Sequence, residues 1–163
     1  MSIMSKSTAS YLAGFIDGEG YITLKRNNNK NRVYYVPTIK IASTDEWIIE
    51  WIQKSYGGHY YERKHQNKNH KDSYYWTLTG KNLKPFLQKI YPYLKLKKTQ
   101  CGLVLSKIKM QETLIKGLPY PQISKINSKR EDKRKINLSY REEYHNKIKA
   151  IYDKLRQLNK RGV

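Results

Sequence analysis

From Tyr11 to Ile16 apolar and small residues recur with helical spacing, and the run ends in Asp17-Gly18-Glu19-Gly20. Ser7 is placed to cap this helix, its hydroxyl accepting one of the free N–H groups of the first turn. Gly14 inside the helix should cost about 1 kcal/mol relative to Ala, and close approach of another backbone would offset that. Past Gly20 the period falls to two, with Ile22 and Leu24 on one face and Tyr21, Thr23 and Lys25 on the other. A polar turn from Arg26 to Arg32 leads into a second strand. There Tyr35, Pro37, Ile39 and Ile41 alternate with Tyr34, Val36, Thr38 and Lys40, and Pro37 calls for an edge or a bulge.

The pattern then repeats. Ser43-Thr44-Asp45-Glu46 opens a helix from Trp47 to Tyr56, which Gly57-Gly58 ends. A hairpin follows, Tyr60 to Lys64 and Tyr74 to Thr79, around a basic loop from His65 to Lys71. Ile22, Leu24, Ile39, Ile41, Trp76 and Leu78 are the expected core of the sheet. A helix from Leu83 to Tyr91 accepts Pro85 in its first turn and stops at Pro92; a longer one runs from about Lys97 to Lys116. The order helix, two strands, helix, two strands, helices predicts an α+β fold with an antiparallel sheet. Residues 1–117 form the expected core. Residues 118–163 read as a basic linker, largely without structure to Leu138, and a final helix that Ser139 and Glu142 would open as a capping box.

Charge narrows the partners. Among 163 residues Lys and Arg number 33 against 13 Asp and Glu, a net charge of +20, while aromatic residues make up 12%. A chain able to fold and so rich in cations calls for a polyanion, and nucleic acid fits because its phosphates release counterions when neutralised. The lone Cys101 excludes a disulfide within the chain and a cysteine-based zinc site, and His59, His65, His70 and His145 lack ligand spacing. No stretch reads as a membrane span or as the apolar core of a secretory signal. An intracellular setting is expected, and the leaning towards Lys, Asn, Tyr and Ile, residues of A/T-rich codons, points to an organelle such as a mitochondrion or chloroplast.

The chemistry concentrates where the first helix ends. Small residues allow two helices to pack with their backbones nearly touching. If the partner is the same helix of a second copy, two sets of carboxylates meet on a two-fold axis, and cations between them relieve their repulsion. The run Tyr11-Leu12-Ala13-Gly14-Phe15-Ile16-Asp17-Gly18-Glu19-Gly20 resembles the defining motif of the LAGLIDADG homing endonucleases. Tyr91 to Gln100 is similar to the segment that precedes the long helix in that family, and the likeness covers roughly Tyr11 to Met110.

The resemblance implies an αββαββα fold whose curved antiparallel sheet lies in the major groove of DNA. With a single motif it implies a homodimer on a pseudo-palindromic duplex, with Leu12, Ala13, Gly14, Ile16 and Asp17 at the interface. It gives Glu19 and the carbonyl of Gly18 the role of holding Mg²⁺, with Mn²⁺ or a non-catalytic Ca²⁺ as substitutes. Lys97 would sit near the scissile phosphate, and Ser43 would order water at the active site. Tyr21, Thr23, Lys25, Asn27, Tyr34, Thr38, Lys40, Glu62, Lys64, Tyr75 and Thr77 are expected on the groove-facing side of the sheet, with Lys98 beside it. The loop His65–Lys71 and Arg130, Lys133, Arg134 and Lys135 are expected at phosphates. The alternatives on the same fold are a splicing maturase, which binds RNA, and a regulator that binds DNA without cutting it.

Overall fold

A computed structural model describes residues 4–29, 32–65, 71–117 and 130–160, with the backbone alone at 29, 32, 114–117 and 130–141. The elements are α1 (Lys6–Glu19), β1 (Gly20–Asn29), β2 (Arg32–Ser43), α2 (Glu46–Tyr56), β3 (His59–Arg63) and β4 (Ser73–Leu78). A 3-10 turn (Gly80–Asn82) then leads to α3 (Leu83–Ile90), α4 (Lys98–Gly117) and α5 (Arg130–Lys160). The four strands make one antiparallel sheet in the order β1-β2-β4-β3.

The helices cover one face of that sheet. Ile22, Leu24, Ile39, Ile41, Trp76 and Leu78 are all buried, as the alternation requires. They share one core with Ile49 and Ile52 of α2, Phe86 and Leu87 of α3, and Val104 of α4. Phe86 packs against Trp76 and Tyr56, with ring centroids 5.3 and 5.4 Å apart. Each such side chain removed from water contributes about 1.5–3 kcal/mol. Pro37 is accommodated because β4 ends at Leu78, opposite Ile39, so β2 is open on that side at Pro37.

Three boundaries differ from expectation. Ser5, not Ser7, caps α1, its hydroxyl accepting the Thr8 N–H at 3.1 Å. Ser43 does not act as a helix cap; Asp45 precedes α2, and the Ser43 hydroxyl accepts the Asp45 N–H at 3.0 Å. The last helix begins at Arg130, so Ser139 lies inside it and residues 130–138 are helical rather than unstructured. No Gly or Pro falls between 130 and 160, and a Ser-x-x-Glu pattern does not start a helix that has already been nucleated upstream.

The C-terminal half of α5 packs on α4 and on the edge of the sheet. Ile148 and Leu155 are buried, and the Tyr152 and Tyr35 rings lie 4.9 Å apart. Asn159 donates from Nδ2 to the Ile22 carbonyl at 3.1 Å. A helix over an edge strand satisfies a polar group that a foreign strand could otherwise bond.

Two features yield stability predictions. Gly58 has φ +95°, and a Cβ there would stand 2.7 Å from both the Thr77 carbonyl oxygen and Trp76 Nε1. The Trp76 indole also donates to the Gly57 carbonyl at 2.7 Å. Gly58→Ala is therefore expected to destabilise the fold by about 3 kcal/mol in denaturant unfolding; a loss under about 0.5 kcal/mol would show that the turn relaxes freely. Lys107 of α4 is 5% exposed and donates to Gln111 Oε1 at 2.6 Å. Burial lowers its amine from 10.5 to about 8. The folded chain then holds this proton less tightly than the unfolded chain, so stability grows as pH rises from about 8 to 10.5 and is lost as pH falls through about 8. Lys107→Met is expected to add up to about 3 kcal/mol at pH 7 and to flatten that dependence, with wild-type and variant converging near pH 10.5.

Candidate active site and nucleic-acid interface

Two distant segments meet at the C-terminal end of α1. Asp17 accepts the Lys95 N–H on Oδ2 at 2.7 Å and the Lys97 N–H on Oδ1 at 2.8 Å. Lys97 donates from Nζ to the Asp17 carbonyl at 2.5 Å, and its own carbonyl accepts the Cys101 N–H at 3.0 Å, the first bond of α4. One carboxylate thus holds the start of α4, where the helix dipole favours an anion. The Lys97 ammonium faces the end of α1, where the dipole favours a cation. Glu19, the last residue of α1, is exposed two residues from this clasp.

Gly20 fixes how sharply the chain leaves the helix, since a Cβ there would stand 2.6 Å from the Ile16 carbonyl oxygen. Gly20 pairs with Ile41, so Ser43, two residues further, stands at the same end of the sheet as Glu19. The Ser43 hydroxyl is engaged in the Asp45 turn described above. Lys98 is exposed, with its ammonium 5.4 Å from the centre of the Tyr91 ring, so of the two adjacent lysines it is Lys97 that reaches the end of α1.

The two sides of α1 differ. Leu12, Ala13 and Ile16 are fully buried in the chain's own core, so they have no surface to give a second copy, contrary to expectation. The 3.6-residue period turns Ser7, Tyr11, Gly14 and Gly18 outward instead, and all four are exposed. A Cβ at Gly14 or Gly18 would meet nothing within 4 Å. Large apolar groups flank this stripe: Tyr11 stacks on Phe15, while Trp47 and Leu96 are 66% and 75% exposed.

The face of the sheet away from the helices follows from the register. Tyr21, Thr23, Lys25 and Asn27 of β1 stand beside Lys40, Thr38, Val36 and Tyr34 of β2, in that order. Thr77 and Tyr75 continue the face on β4, beside Lys40 and Ala42. On β3 the residues of this face are His59, Tyr61 and Arg63, paired with Thr77, Tyr75 and Ser73. Glu62 pairs with Tyr74 and therefore lies on the helix side, as does Tyr60, whose hydroxyl donates to Glu46 at 2.7 Å. Lys64, with the parity of Glu62, approaches it at 3.9 Å. The expectation for Glu62 and Lys64 is thus corrected, and Tyr61 and Arg63 take their place.

Thr23 and Thr38, though on the outer face, are 8% and 1% exposed, and the Thr38 hydroxyl donates to the Val36 carbonyl. They floor the face rather than offer contacts. The described part of this face carries Lys25, Lys40 and Arg63 and no Asp or Glu. Residues 66–70 of the basic loop, and the side chains of Arg130, Lys133, Arg134 and Lys135, lie outside the described residues.

Among the described residues no three His, Cys, Asp or Glu side chains cluster as a metal site. Asp17 is committed to backbone N–H groups, which leaves Glu19 and nearby carbonyls as hard oxygen donors. Mg²⁺ is commonly held by one or two carboxylates with the remaining positions left to water and substrate phosphate, so this donor set fits it. No described helix is long and apolar enough to cross a membrane.

A family model described as LAGLIDADG endonuclease matches residues 12–101. The homing endonuclease I-CvuI, solved with its DNA target in the presence of Ca²⁺, is similar at 28% identity and a TM-score of 0.54, over 64% of this chain and 67% of that one. I-CvuI on the I-CreI target with Mg²⁺, its DNA uncleaved, gives 27% identity and 0.56 over 67% and 70%. The archaeal intron-encoded homing endonuclease I-Vdi141I, solved with DNA, shares the fold over 94% of this chain and 97% of that one, at 19% identity and 0.52. No curated protein sequence matches.

Proposed function

Since the chain belongs to the LAGLIDADG homing endonuclease family, we propose that two copies of it join along the exposed stripe of α1, bind duplex DNA and hydrolyse one phosphodiester in each strand. The observation that carries this reading is the clasp of Asp17 and Lys97, which sets a cation and the free Glu19 carboxylate at one helix end beside two exposed glycines. In a symmetric pair that end meets its own copy, so two such sites face the two strands, and each half reads the same half-site. Gly14 and Gly18 allow the helices to approach closely, while Tyr11, Trp47 and Leu96 give up apolar surface that would otherwise face water.

The chain's own groups then have defined work. The described parts of the two outer sheet faces bring cations and no carboxylates to the phosphates, so affinity should fall steeply with salt. Glu19 and the Gly18 carbonyl would hold the divalent ion, which when bound supplies charge stabilisation at the phosphate and the leaving oxygen. One donor of the Lys97 ammonium is taken by the Asp17 carbonyl, and the others are free for a phosphate oxygen as its charge rises. Asp17 fixes the height of Lys97 without touching substrate.

Linearisation of a plasmid carrying a target selected from randomised DNA tests the reading. Cutting should need Mg²⁺ and stop in EDTA. Lys97→Met is expected to lower the cleavage rate by about 10²-fold while target affinity stays within a few-fold. A loss confined to affinity would make Lys97 a phosphate anchor with no part in the chemistry. Duplex binding without cutting would favour a regulator, and binding only to folded RNA a maturase.

A further inference from the structure

One row of the outer sheet face differs from its neighbours. The register aligns Ala42, Tyr75 and Tyr61 across β2, β4 and β3. The rings of Tyr61 and Tyr75 lie parallel, with centroids 4.7 Å apart and 4° between planes. They stand on the side of the sheet away from the helices, and Tyr61 is 46% exposed. On one side runs the row Lys40, Thr77, His59; on the other, Ser73 and Arg63. A strip made of the Ala42 methyl and two phenol rings, polar only at their hydroxyl tips, therefore crosses three strands between two polar rows, with no carboxylate in any of them.

We infer that this row reads thymine: the 5-methyl groups of one or two bases in each half-site seat against Ala42 and the Tyr75–Tyr61 stack. This rests on the reading of the outer face as the groove-facing surface of a DNA endonuclease. Duplex DNA is the occupant that the charge selects, since the chain carries +20 and every charged side chain on the described part of the face is a cation. In the major groove thymine alone displays a methyl group, so an apolar row between donor rows discriminates by that group. Arg63, next to the strip, carries a guanidinium, the group that takes guanine in two hydrogen bonds. Burying one methyl from water corresponds to about fourfold in affinity, the equivalent of ~0.8 kcal/mol.

The test removes that methyl and nothing else. A duplex selected from a randomised library is bound in Ca²⁺ and followed by fluorescence anisotropy, with each thymine replaced in turn by deoxyuridine. At one or two positions per half-site the replacement should weaken binding about fourfold. The Tyr61→Ser, Tyr75→Ser double variant should lose this dependence, and the corresponding Phe double variant should keep it, which separates loss of the carbon surface from loss of fold. Tight binding indifferent to uracil at every position would overturn the row while leaving the endonuclease reading intact, as would a uracil penalty that persists in the Ser variant. Failure to retain any duplex specifically, or binding of single-stranded RNA on this face alone, would overturn both.

Discussion

Glu19→Gln is expected to reduce cleavage by about 10³-fold while leaving the fold and the affinity for the target nearly unchanged, the rate loss corresponding to ~4 kcal/mol of transition-state stabilisation. The side chain is exposed at the last position of α1 and makes no hydrogen bond or ion pair among the described residues, so an isosteric amide disturbs nothing in the chain. It does remove the carboxylate that, among the described residues, is left uncommitted near the clasp, because both oxygens of Asp17 already accept backbone N–H groups. Mg²⁺ asks for hard, charged oxygen, and an amide oxygen is a poor replacement. Single-turnover cleavage across a range of Mg²⁺ concentrations is the measurement. A variant that cuts at the wild-type rate at all of them would remove Glu19 from the mechanism. Asp17→Asn should behave differently, because weakening the clasp loosens the start of α4 and lowers stability as well as rate.

Gly14→Leu should separate the folding of one chain from the joining of two. Within a single chain a Cβ at position 14 meets nothing within 4 Å, and the residue is exposed. Replacing a mid-helix glycine should therefore raise the stability of the isolated chain by about 0.5–1 kcal/mol. If α1 packs on its copy with backbones close, the same leucine stands between the two helices. The dimer should weaken by about 100-fold or more, because an overpacked contact costs about 1–3 kcal/mol on each side of the two-fold axis. Cleavage should vanish at nanomolar protein although the folded monomer itself is more stable, because what is lost is the association of two chains. A leucine variant that is dimeric and fully active would show that the stripe is merely solvated.

The helix–sheet alternation was legible because the period of the hydrophobic pattern is the physical cause of the burial. Ile22, Leu24, Ile39 and Ile41 have no place but the core once β1 and β2 exist. β3 defeated the same logic. Its sequence His59-Tyr60-Tyr61-Glu62-Arg63 offers no apolar alternation, so parity rests on register, and register on a hairpin loop whose geometry a sequence does not reveal. Pairing from Trp76 and Leu78 outward would have placed Tyr61 and Arg63 correctly had that loop been known.

The motif helix shows the opposite error. Its apolar residues Ala9, Leu12, Ala13 and Ile16 recur at helical spacing and thus form the stripe that the chain buries in itself; the surface left over is the glycine side. Placing Leu12, Ala13 and Ile16 at the interface beside Gly14 ignored that a helix has two sides. Glu19 and Lys97 were named from a family likeness, and physics alone would not have joined positions 78 residues apart. What joins them, the Asp17 carboxylate capping the start of α4, is a tertiary contact with no local signature.

The most direct test of the account is the mass of the complex that wild-type protein forms with one selected duplex, measured by sedimentation equilibrium in Ca²⁺. Two copies of the 19.4-kDa chain per duplex are expected, with that ratio constant from nanomolar to micromolar protein. One chain per duplex, in a preparation that cuts both strands when Mg²⁺ is added, would contradict it.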